Sequence, residues 1–373
     1  EVGGGGASGL GTISGNIATI TGLPSGATIE LSIDPANFKR ININNSADSR
    51  RLTRILQWGD VAWTSMENAF YGCTNMSLTT TDIPNLSNVT SMKQMFYLCT
   101  NFNGPDNIGL WNTSAVTNMS AMFRNASAFN KDINSWNVAA VTDMSYMFYY
   151  TFFNKDISSW NVGAVTNMER MFSNAFWFNQ NIGTWNVSSV TNMSGMFASA
   201  DNFNQNIGAW DVGSVTDMSN MFRLNNSFNQ NINGWNVSSV TNMSSMFYDA
   251  VFNQNIGSWD VSGVTNMSYM FFLTGFNQNI SNWNVSAVTD MRGMFLYTSS
   301  FNQNIGNWNV SSVINMSEMF SFAGAFNQNL NNWNVLAVTD MTEMFLYATS
   351  FNQSLAAWGP KFNPMVNLTR MLN

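Results

Sequence analysis

Histidine is absent from this chain of 373 residues, and its absence removes several kinds of chemistry at once. Without an imidazole there is no Ser-His-Asp or Cys-His nucleophile and no histidine-ligated metal. The remaining groups that could react or bind a metal are two cysteines, 21 acidic residues and 26 methionines. Each of these has to be weighed against a purely structural role.

The two cysteines, Cys73 and Cys99, lie 26 residues apart. They occupy the small-residue position that Ala126, Ala200 and Ala250 take further along the chain. This pattern favours two buried small side chains in neighbouring units of the chain. A disulfide between them, which requires Cα atoms within ~7 Å, is an alternative, and a metal-binding pair is another.

Paired carboxylates are a second route to catalysis, but the spacing of the acidic residues does not favour it. Asp211 and Asp260 are expected two units apart, at ~10 Å by the spacing of parallel strands, whereas a glycosidase pair needs about 5–9.5 Å. Four further aspartates replace asparagine at the third position of V-T-x-M, namely Asp143, Asp217, Asp290 and Asp340. The methionines recur in pairs, which is typical of a polarizable core. We therefore predict no catalytic residue, no metal site and no cofactor, and we predict that the chain is not an enzyme.

A repeat positions all of these side chains. Tryptophan recurs at spacings of 24 or 25 residues, at Trp111, Trp136, Trp160, Trp185, Trp210, Trp235, Trp259, Trp283, Trp308, Trp333 and Trp358. A phenylalanine begins each unit, and a Met-x-x-Met-Phe motif follows the tryptophan. A fixed period of about 20–50 residues indicates a stacked array, and this unit is too short for a propeller blade of ~40 residues. The sequence predicts an α/β solenoid, a leucine-rich-repeat-like stack of about 12–13 coils with a parallel β-sheet, preceded by a small β segment.

The path of one coil can be predicted from its apolar positions. Trp185 and Val187 alternate around Asn186, so we predict a short strand there and a parallel sheet through the x-Trp-Asn-Val positions. Residues 194–200 are predicted to form a short helix. Asparagines that follow each tryptophan are predicted to form a ladder of side-chain hydrogen bonds between coils, at Asn137, Asn161, Asn186, Asn236, Asn284, Asn309 and Asn334, interrupted by Asp211 and Asp260.

Four segments follow from these patterns. Residues 1–45 are a Gly/Thr-rich β segment, and residues 46–101 are an N-terminal cap, around Trp58 and Trp63, with two irregular coils. Residues 102–350 hold ten regular repeats of 24–27 residues, and residues 351–373 form an irregular C-terminal coil. Because stacked coils leave apolar surface at their ends, self-association through the ends is also expected.

Charge limits the partners of the chain. Only 9% of residues are charged and the net charge is −7, which disfavours nucleic-acid binding. Five basic residues do cluster, at Lys39, Arg40, Arg50, Arg51 and Arg54, where a solvated cap is favoured over an anion site. No apolar run approaches the ~18–20 residues of a membrane span, so no span is predicted in this chain.

The strongest indication of function is variation between units. Most positions repeat, but the four or five residues after Met-Phe differ from one unit to the next, as in YYTF, SNAFW, RLNNS and LYATS. Variable length and composition predict a surface loop edge. Its aromatic residues are Tyr149, Tyr150, Phe176, Trp177, Tyr248, Phe272, Tyr297, Phe322 and Tyr347. We predict that they bind a protein or glycan partner; the alternative is extra core packing beneath the loops.

The unit FNQNIGxWNVSSVTNMSxMFxxA resembles the repeat of BspA-like leucine-rich repeat proteins of bacterial surfaces, over about residues 55–373. The early segment TSMENAFYGCTNM resembles the leucine-rich version of that family, and QWGDVAWTSME resembles its usual lead-in. The resemblance implies a leucine-rich-repeat-like solenoid at a cell surface, in adhesion or host contact, with no catalytic residues. Related repeats also occur in viral sequences. Two other functions stay open: a subunit of an extracellular filament or virion-associated fibre, and an ice- or mineral-binding solenoid.

Overall fold

In a computed structural model of the protein, the described residues are 2–3, 12–14, 17–19, 28, 30–36 and 38–372. The chain begins with short antiparallel pairs: β1 (Val2–Gly3) pairs with β4 (Glu30–Leu31), and β2 (Thr12–Ser14) pairs with β3 (Ile17–Thr19). These strands lie within the small β segment predicted from the sequence. Much of residues 1–29, including most of the Gly-rich start, lies outside the described residues.

Regular secondary structure is sparse in the rest of the molecule. Strands β5 (Arg54–Ile55) and β6 (Ser77–Leu78) pair in parallel near the start of the coils. The helices of the described chain are three 3-10 segments, η1 (Ser49–Arg51), η2 (Ile108–Leu110) and η3 (Ala356–Lys361). None of them has the length and apolar character to cross a membrane.

Parallel backbone pairing joins the coils at one position per turn of the stack. The paired residues are Ser91, Asn118, Asp143, Asn167, Asn192, Asp217, Asn242, Asn266, Asp290, Asn315, Asp340 and Asn367. The Met66 N–H bonds the Ser91 carbonyl at 3.0 Å and adds one more coil before them. The predicted solenoid of about 12–13 coils is therefore confirmed.

The pairing lies at a different position from the one predicted. It runs through the x of V-T-x-M, whereas we predicted x-Trp-Asn-Val. The reason is that the backbone N–H groups after the tryptophan make hydrogen bonds within their own coil. The Val190 N–H donates to the Val187 carbonyl at 2.9 Å, and the Ser188 N–H donates to the Asn186 Oδ1 at 3.2 Å.

The predicted short helix over residues 194–200 is replaced by consecutive turns. Gly195 and Ser199 have φ of +61° and +53°, the left-handed region that an α-helix excludes. Their N–H groups donate to carbonyls of the next coil at 2.7 Å, as do those of Met193 and Phe197 at 2.9–3.0 Å. The alternate N–H groups close turns on residues three positions earlier. Half of the N–H groups in this segment therefore bond to the next coil, whereas in an α-helix they would bond to carbonyls of the same segment.

Side chains of the same type stack from coil to coil to form the core. In one coil the buried side chains are Phe178, Ile182, Trp185, Val187, Val190, Met193, Met196, Phe197 and Ala200. Trp160 and Trp185 stack at 6.4 Å with an interplanar angle of 5°. The Trp185 indole N–H also donates to the Ile157 carbonyl of the preceding coil at 3.1 Å. This bond recurs at each tryptophan of the core column from Trp136 to Trp358, so these indoles are buried with their polar atom satisfied.

Asparagine has two separate uses in each coil. The predicted ladder after tryptophan is wrong, because Asn186 and its equivalents cap turns within their own coil. The ladder lies instead in the F-N-Q segment, where the Asn204 N–H donates to the Asn179 Oδ1 at 3.1 Å. Gln205 adds a second bond to the same oxygen at 2.9 Å. The F-N-Q ladder therefore ties each coil to the one before it.

Buried aromatic residues lie near both ends of the described stack. At the N-terminal side Trp58 and Trp63 are buried and meet edge to face at 6.0 Å. The backbone N–H groups of Ile43 and Asn45 bond the carbonyls of the first coil. At the C-terminal side Trp358, within η3, stacks on Trp333 at 6.1 Å. The segment boundaries proposed from the sequence stay predictions.

Candidate recognition surface

The variable loops are clamped at their bases by pairs of phenylalanine rings. The phenylalanine of Met-Phe stacks on the phenylalanine that begins the next unit, as in Phe197 with Phe203 at 3.9 Å and Phe247 with Phe252 at 4.1 Å. These two loops differ by one residue in length, yet the clamp is the same. The loop edge can therefore vary in sequence without disturbing the core.

All nine aromatic residues predicted at this edge reach solvent. Tyr150, Trp177, Tyr297 and Tyr347 are exposed, and the other five are half-buried. The buried core of the described chain contains none of the nine. They divide into two groups along the stack, with different ring arrangements.

The C-terminal group is a continuous row of rings, which we name the aromatic stripe: Tyr248, Phe272, Tyr297, Phe322 and Tyr347. Tyr248 stacks on Phe272 at 4.2 Å, and Tyr297 stacks on Phe322 at 4.3 Å. Phe272 meets Tyr297 edge to face at 5.9 Å, and Tyr347 follows Phe322 at 4.7 Å. Four of the five rings therefore have one face covered by a stacked neighbour.

The N-terminal group is looser. Tyr149 packs beside Arg124, whose guanidinium lies 5.0 Å from its ring, 5.0 Å from Tyr97 and 4.8 Å from Tyr146. Cation–π contacts of this kind hold a half-buried arginine among aromatic rings. Tyr150 meets Phe176 edge to face at 6.0 Å. Trp177 follows directly in the chain and projects into solvent.

Sequence reasoning missed a second set of aromatic residues at this edge. Tyr146 and Tyr269 lie inside the Met-x-x-Met motif. The residue before the second methionine of this motif differs from unit to unit, and this variation could have indicated that the position is on the surface. The Tyr146 hydroxyl donates to Glu169 at 2.6 Å, and the Tyr269 hydroxyl donates to Glu318 at 3.2 Å. The Tyr269 ring lies across Gly293, where a Cβ would collide with it. Burial, with the Glu318 carboxylate second in effect, raises the pKa of Tyr269 to about 12.

The candidates for chemistry have structural roles. Cys73 and Cys99 are buried and unbonded to each other, and the Cys99 thiol donates to the Phe70 carbonyl at 2.9 Å. Burial raises the pKa of the Cys73 thiol to about 12, and that of Cys99 is raised as well. Asp211 and Asp260 accept turn N–H groups two residues on, at 3.1 Å each. No cluster of cysteine and acidic side chains in the described chain has the arrangement of a metal site.

Fold and surface together define a class: a solenoid of short coils with a uniform core and one variable, aromatic edge. A family model described as "Mycoplasma protein of unknown function, DUF285" matches residues 64–183, 166–275 and 272–373, so the chain belongs to this family. The resemblance to BspA-like leucine-rich repeat surface proteins is confirmed. No curated protein matches the chain.

Several solved structures of leucine-rich repeat proteins are distantly similar. One from Bacteroides ovatus is 10% identical, with a TM-score of 0.43 and coverage of 93% of this chain and 96% of that one. A leucine-rich cell surface protein from Faecalibacterium prausnitzii is 14% identical, with a TM-score of 0.34 and coverage of 95% and 98%. One from Eubacterium ventriosum is 12% identical, with a TM-score of 0.33 and coverage of 86% and 81%.

Proposed function

We propose that this chain is a non-enzymatic, extracellular surface protein that recognises a protein or glycan partner on another surface through its variable loop edge. The observation that carries the proposal is the placement of nine aromatic side chains on that edge, outside the core. Exposed aromatic clusters are uncommon on monomeric proteins and mark interaction sites. In such a stack the core residues determine the fold and the loop residues contact the partner.

The repeat itself explains why recognition resides in the loops. Core, turn and ladder positions are restricted by contacts with two neighbouring coils, so they tolerate little change. The loops are clamped at their bases by a phenylalanine pair, for example Phe197 and Phe203, and bonds such as that of the Ser199 N–H to the next coil use backbone groups that a change of side chain leaves in place. A change of loop sequence alters the surface while leaving the stack in place.

The test compares two variants on arrays of extracellular proteins and of glycans. The edge variant replaces Tyr150, Trp177, Tyr297 and Tyr347 by serine. We expect it to lose at least 90% of the wild-type signal on each array spot that binds the wild-type chain. Aromatic residues of this size supply most of the contact energy of a typical interface.

The control variant changes an equally regular surface elsewhere on the coils. Thr191, Thr216, Thr241 and Thr265 form an exposed threonine row, and each hydroxyl donates to the preceding coil at 3.1–3.2 Å. Replacing these four by serine keeps the hydroxyls and removes the methyl groups. The control should bind like the wild type, and both variants should keep their melting temperatures within a few degrees. An edge variant that folds and binds at wild-type strength refutes the proposal.

A further inference from the structure

Trp177 differs from every other tryptophan of the chain. Its side chain is 57% exposed, whereas the other thirteen tryptophans are 4% exposed or less. It has no stacking partner among the described residues. In a protein that buries an indole in nearly every coil, this one indole lies outside the repeating column and faces solvent. A large aromatic ring left in water is costly unless a partner covers it.

Two more exposed rings lie on the coil before Trp177. Phe152, in the preceding coil, is 49% exposed and Tyr150 is 46% exposed. Tyr150 contacts Phe176 only edge to face, at 6.0 Å. Neither Phe152 nor Trp177 is stacked on another ring in the described chain, so ring faces are open here. The aromatic stripe differs, because Tyr248 stacks on Phe272 and Tyr297 stacks on Phe322 at 4.2–4.3 Å, so four of its five rings have one covered face.

Polar side chains border the open rings on the next coil. The Asn202 N–H donates to the Phe176 carbonyl at 3.3 Å, which places the loop that contains Asp201 directly beside Phe176 and Trp177. The Asn226 amide donates to the Asp201 Oδ1 at 3.4 Å, and this bond orients the carboxylate. The second oxygen of Asp201 accepts no hydrogen bond within the described chain. An acceptor oxygen of Asp201 therefore lies in the loop beside Trp177, and the Asn226 amide that donates to this carboxylate lies one coil further along.

We propose that Trp177, with Phe152 and Tyr150 beside it, is the stacking platform of a subsite for neutral hexopyranose glycans, and that Asp201 and Asn226 bind hydroxyl groups of the sugar. This inference rests on the proposed function and names the ligand class for one part of the loop edge. A pyranose ring has an apolar C–H face that lies flat on an open aromatic face. Its equatorial hydroxyls are donors and acceptors that match a carboxylate and an amide.

Charge selects among glycans. The platform rings are uncharged, the bordering carboxylate is negative and the chain carries a net charge of −7. A carboxylate or sulfate group of a glycan is repelled next to the Asp201 carboxylate, whereas a neutral hydroxyl group is not. The same argument excludes a purely apolar ligand, because it would leave the Asp201 carboxylate desolvated.

The exposed indole supplies a direct measurement. Acrylamide quenches the fluorescence of solvent-exposed tryptophans, and Trp177 is the exposed one of fourteen. Neutral hexasaccharides of glucose, mannose, xylose and N-acetylglucosamine are titrated, with an oligomer of a uronic acid as the anionic probe. We expect at least one neutral probe to bind with a Kd of 1 mM or tighter and to protect the quenchable fraction. We expect no protection by the anionic probe.

Three variants locate the subsite on the neutral probe that binds best. Trp177→Ala should weaken binding at least tenfold by calorimetry, and Asp201→Ala should weaken it several-fold. Leu336→Ala, at an exposed apolar residue outside the loop edge, is the control and should bind like the wild type. Wild-type affinity in a folded Trp177→Ala chain, stronger binding of the anionic probe, or no binding of any neutral probe would each overturn the inference.

The experiments distinguish failure of the glycan subsite from failure of the proposed function. If no sugar binds while the edge variant still loses its signal on the protein array, the loop edge is a recognition surface and the glycan subsite is wrong. If neither variant changes binding to any probe, both the subsite and the loop-edge function are wrong.

Discussion

Truncation of a core tryptophan tests whether the stack is held together as the structure indicates. Trp235 is 3% exposed, stacks on Trp259 at 6.4 Å with an interplanar angle of 3°, and donates its indole N–H to the Ile207 carbonyl at 3.1 Å. Trp235→Ala removes all of these contacts in the middle of the chain. Truncation of a buried aromatic residue costs about 3–5 kcal/mol of unfolding free energy. The Ile207 carbonyl keeps its bond from the Trp210 N–H at 3.1 Å, so it is not left unpaired, and the lost indole bond accounts for about 0.5–1.5 kcal/mol of the loss.

Two further variants divide this loss into its causes. Trp235→Phe keeps an aromatic ring in the column but removes the N–H donor, and it should cost about 1–2 kcal/mol. Trp177→Ala makes the same chemical change at the exposed tryptophan and should stay within about 0.5 kcal/mol of the wild type. The difference between the two alanine variants isolates the contribution of the column.

The measurement is urea unfolding at equilibrium, with calorimetry as a second probe, since stacked repeats can unfold in more than one step. Amide hydrogen exchange should show that Trp235→Ala raises exchange in its own coil and in the coils on either side. If Trp235→Ala destabilises the chain no more than Trp177→Ala does, the assignment of this column to the core is refuted.

Three other changes have defined outcomes. Cys73 and Cys99 should not react with a thiol reagent at pH 8 in the native protein, because both thiols are buried and have raised pKa values. Both should react after unfolding, and fast labelling of the native protein would contradict this prediction. Asp143→Asn should leave the melting temperature unchanged, because the turn needs only an acceptor for the Ser145 N–H. Asp143→Ala removes that acceptor and should lower the free energy of unfolding by about 1 kcal/mol. Equal melting temperatures for the two variants would refute the role of Asp143 in the turn. The Tyr269 pKa of about 12 exceeds the ~10 of an unfolded tyrosine, so the unfolded state loses this proton first. Stability should therefore fall between about pH 10 and 12, less so in Tyr269→Phe, and an identical alkaline decline in both proteins would contradict the assignment.

The repeat made the core predictable, because apolar residues at fixed spacing must share one interior. Trp185, Val187 and Met193 all lie inside as expected. The backbone that connects them was not predictable from the same pattern. A short strand and a series of tight turns both place alternate side chains inward, so periodicity cannot separate them. The decisive feature is the left-handed conformation at positions such as Ser199, which non-glycine residues rarely adopt.

The candidate surface was predictable in location but not in arrangement. Variation after Met-Phe located the loop edge, and Trp177 and Tyr347 are indeed exposed there. Which rings stack and which stay open depends on the offset between neighbouring loops. Tyr248 and Phe272 follow Met-Phe directly and stack, whereas Tyr297 lies one residue later and meets Phe272 edge to face. A shift of one residue is visible in the sequence, but its effect on ring orientation is not.

Because most bonds of a coil go to the coil directly before or after it, the stack also has a defined response to mechanical force. Each coil is held by bonds to the coil before it and the coil after it, such as the Trp185 bond to Ile157 and the Gly195 bond to Ser219. Tension on the two ends of the chain therefore loads the terminal coil first and detaches coils one at a time. Each detachment releases about 25 residues, or roughly 85 Å of extended chain. A stack built in this way lengthens in steps of similar size under tension and dissipates energy at each one, while the coils still folded keep their loops in place.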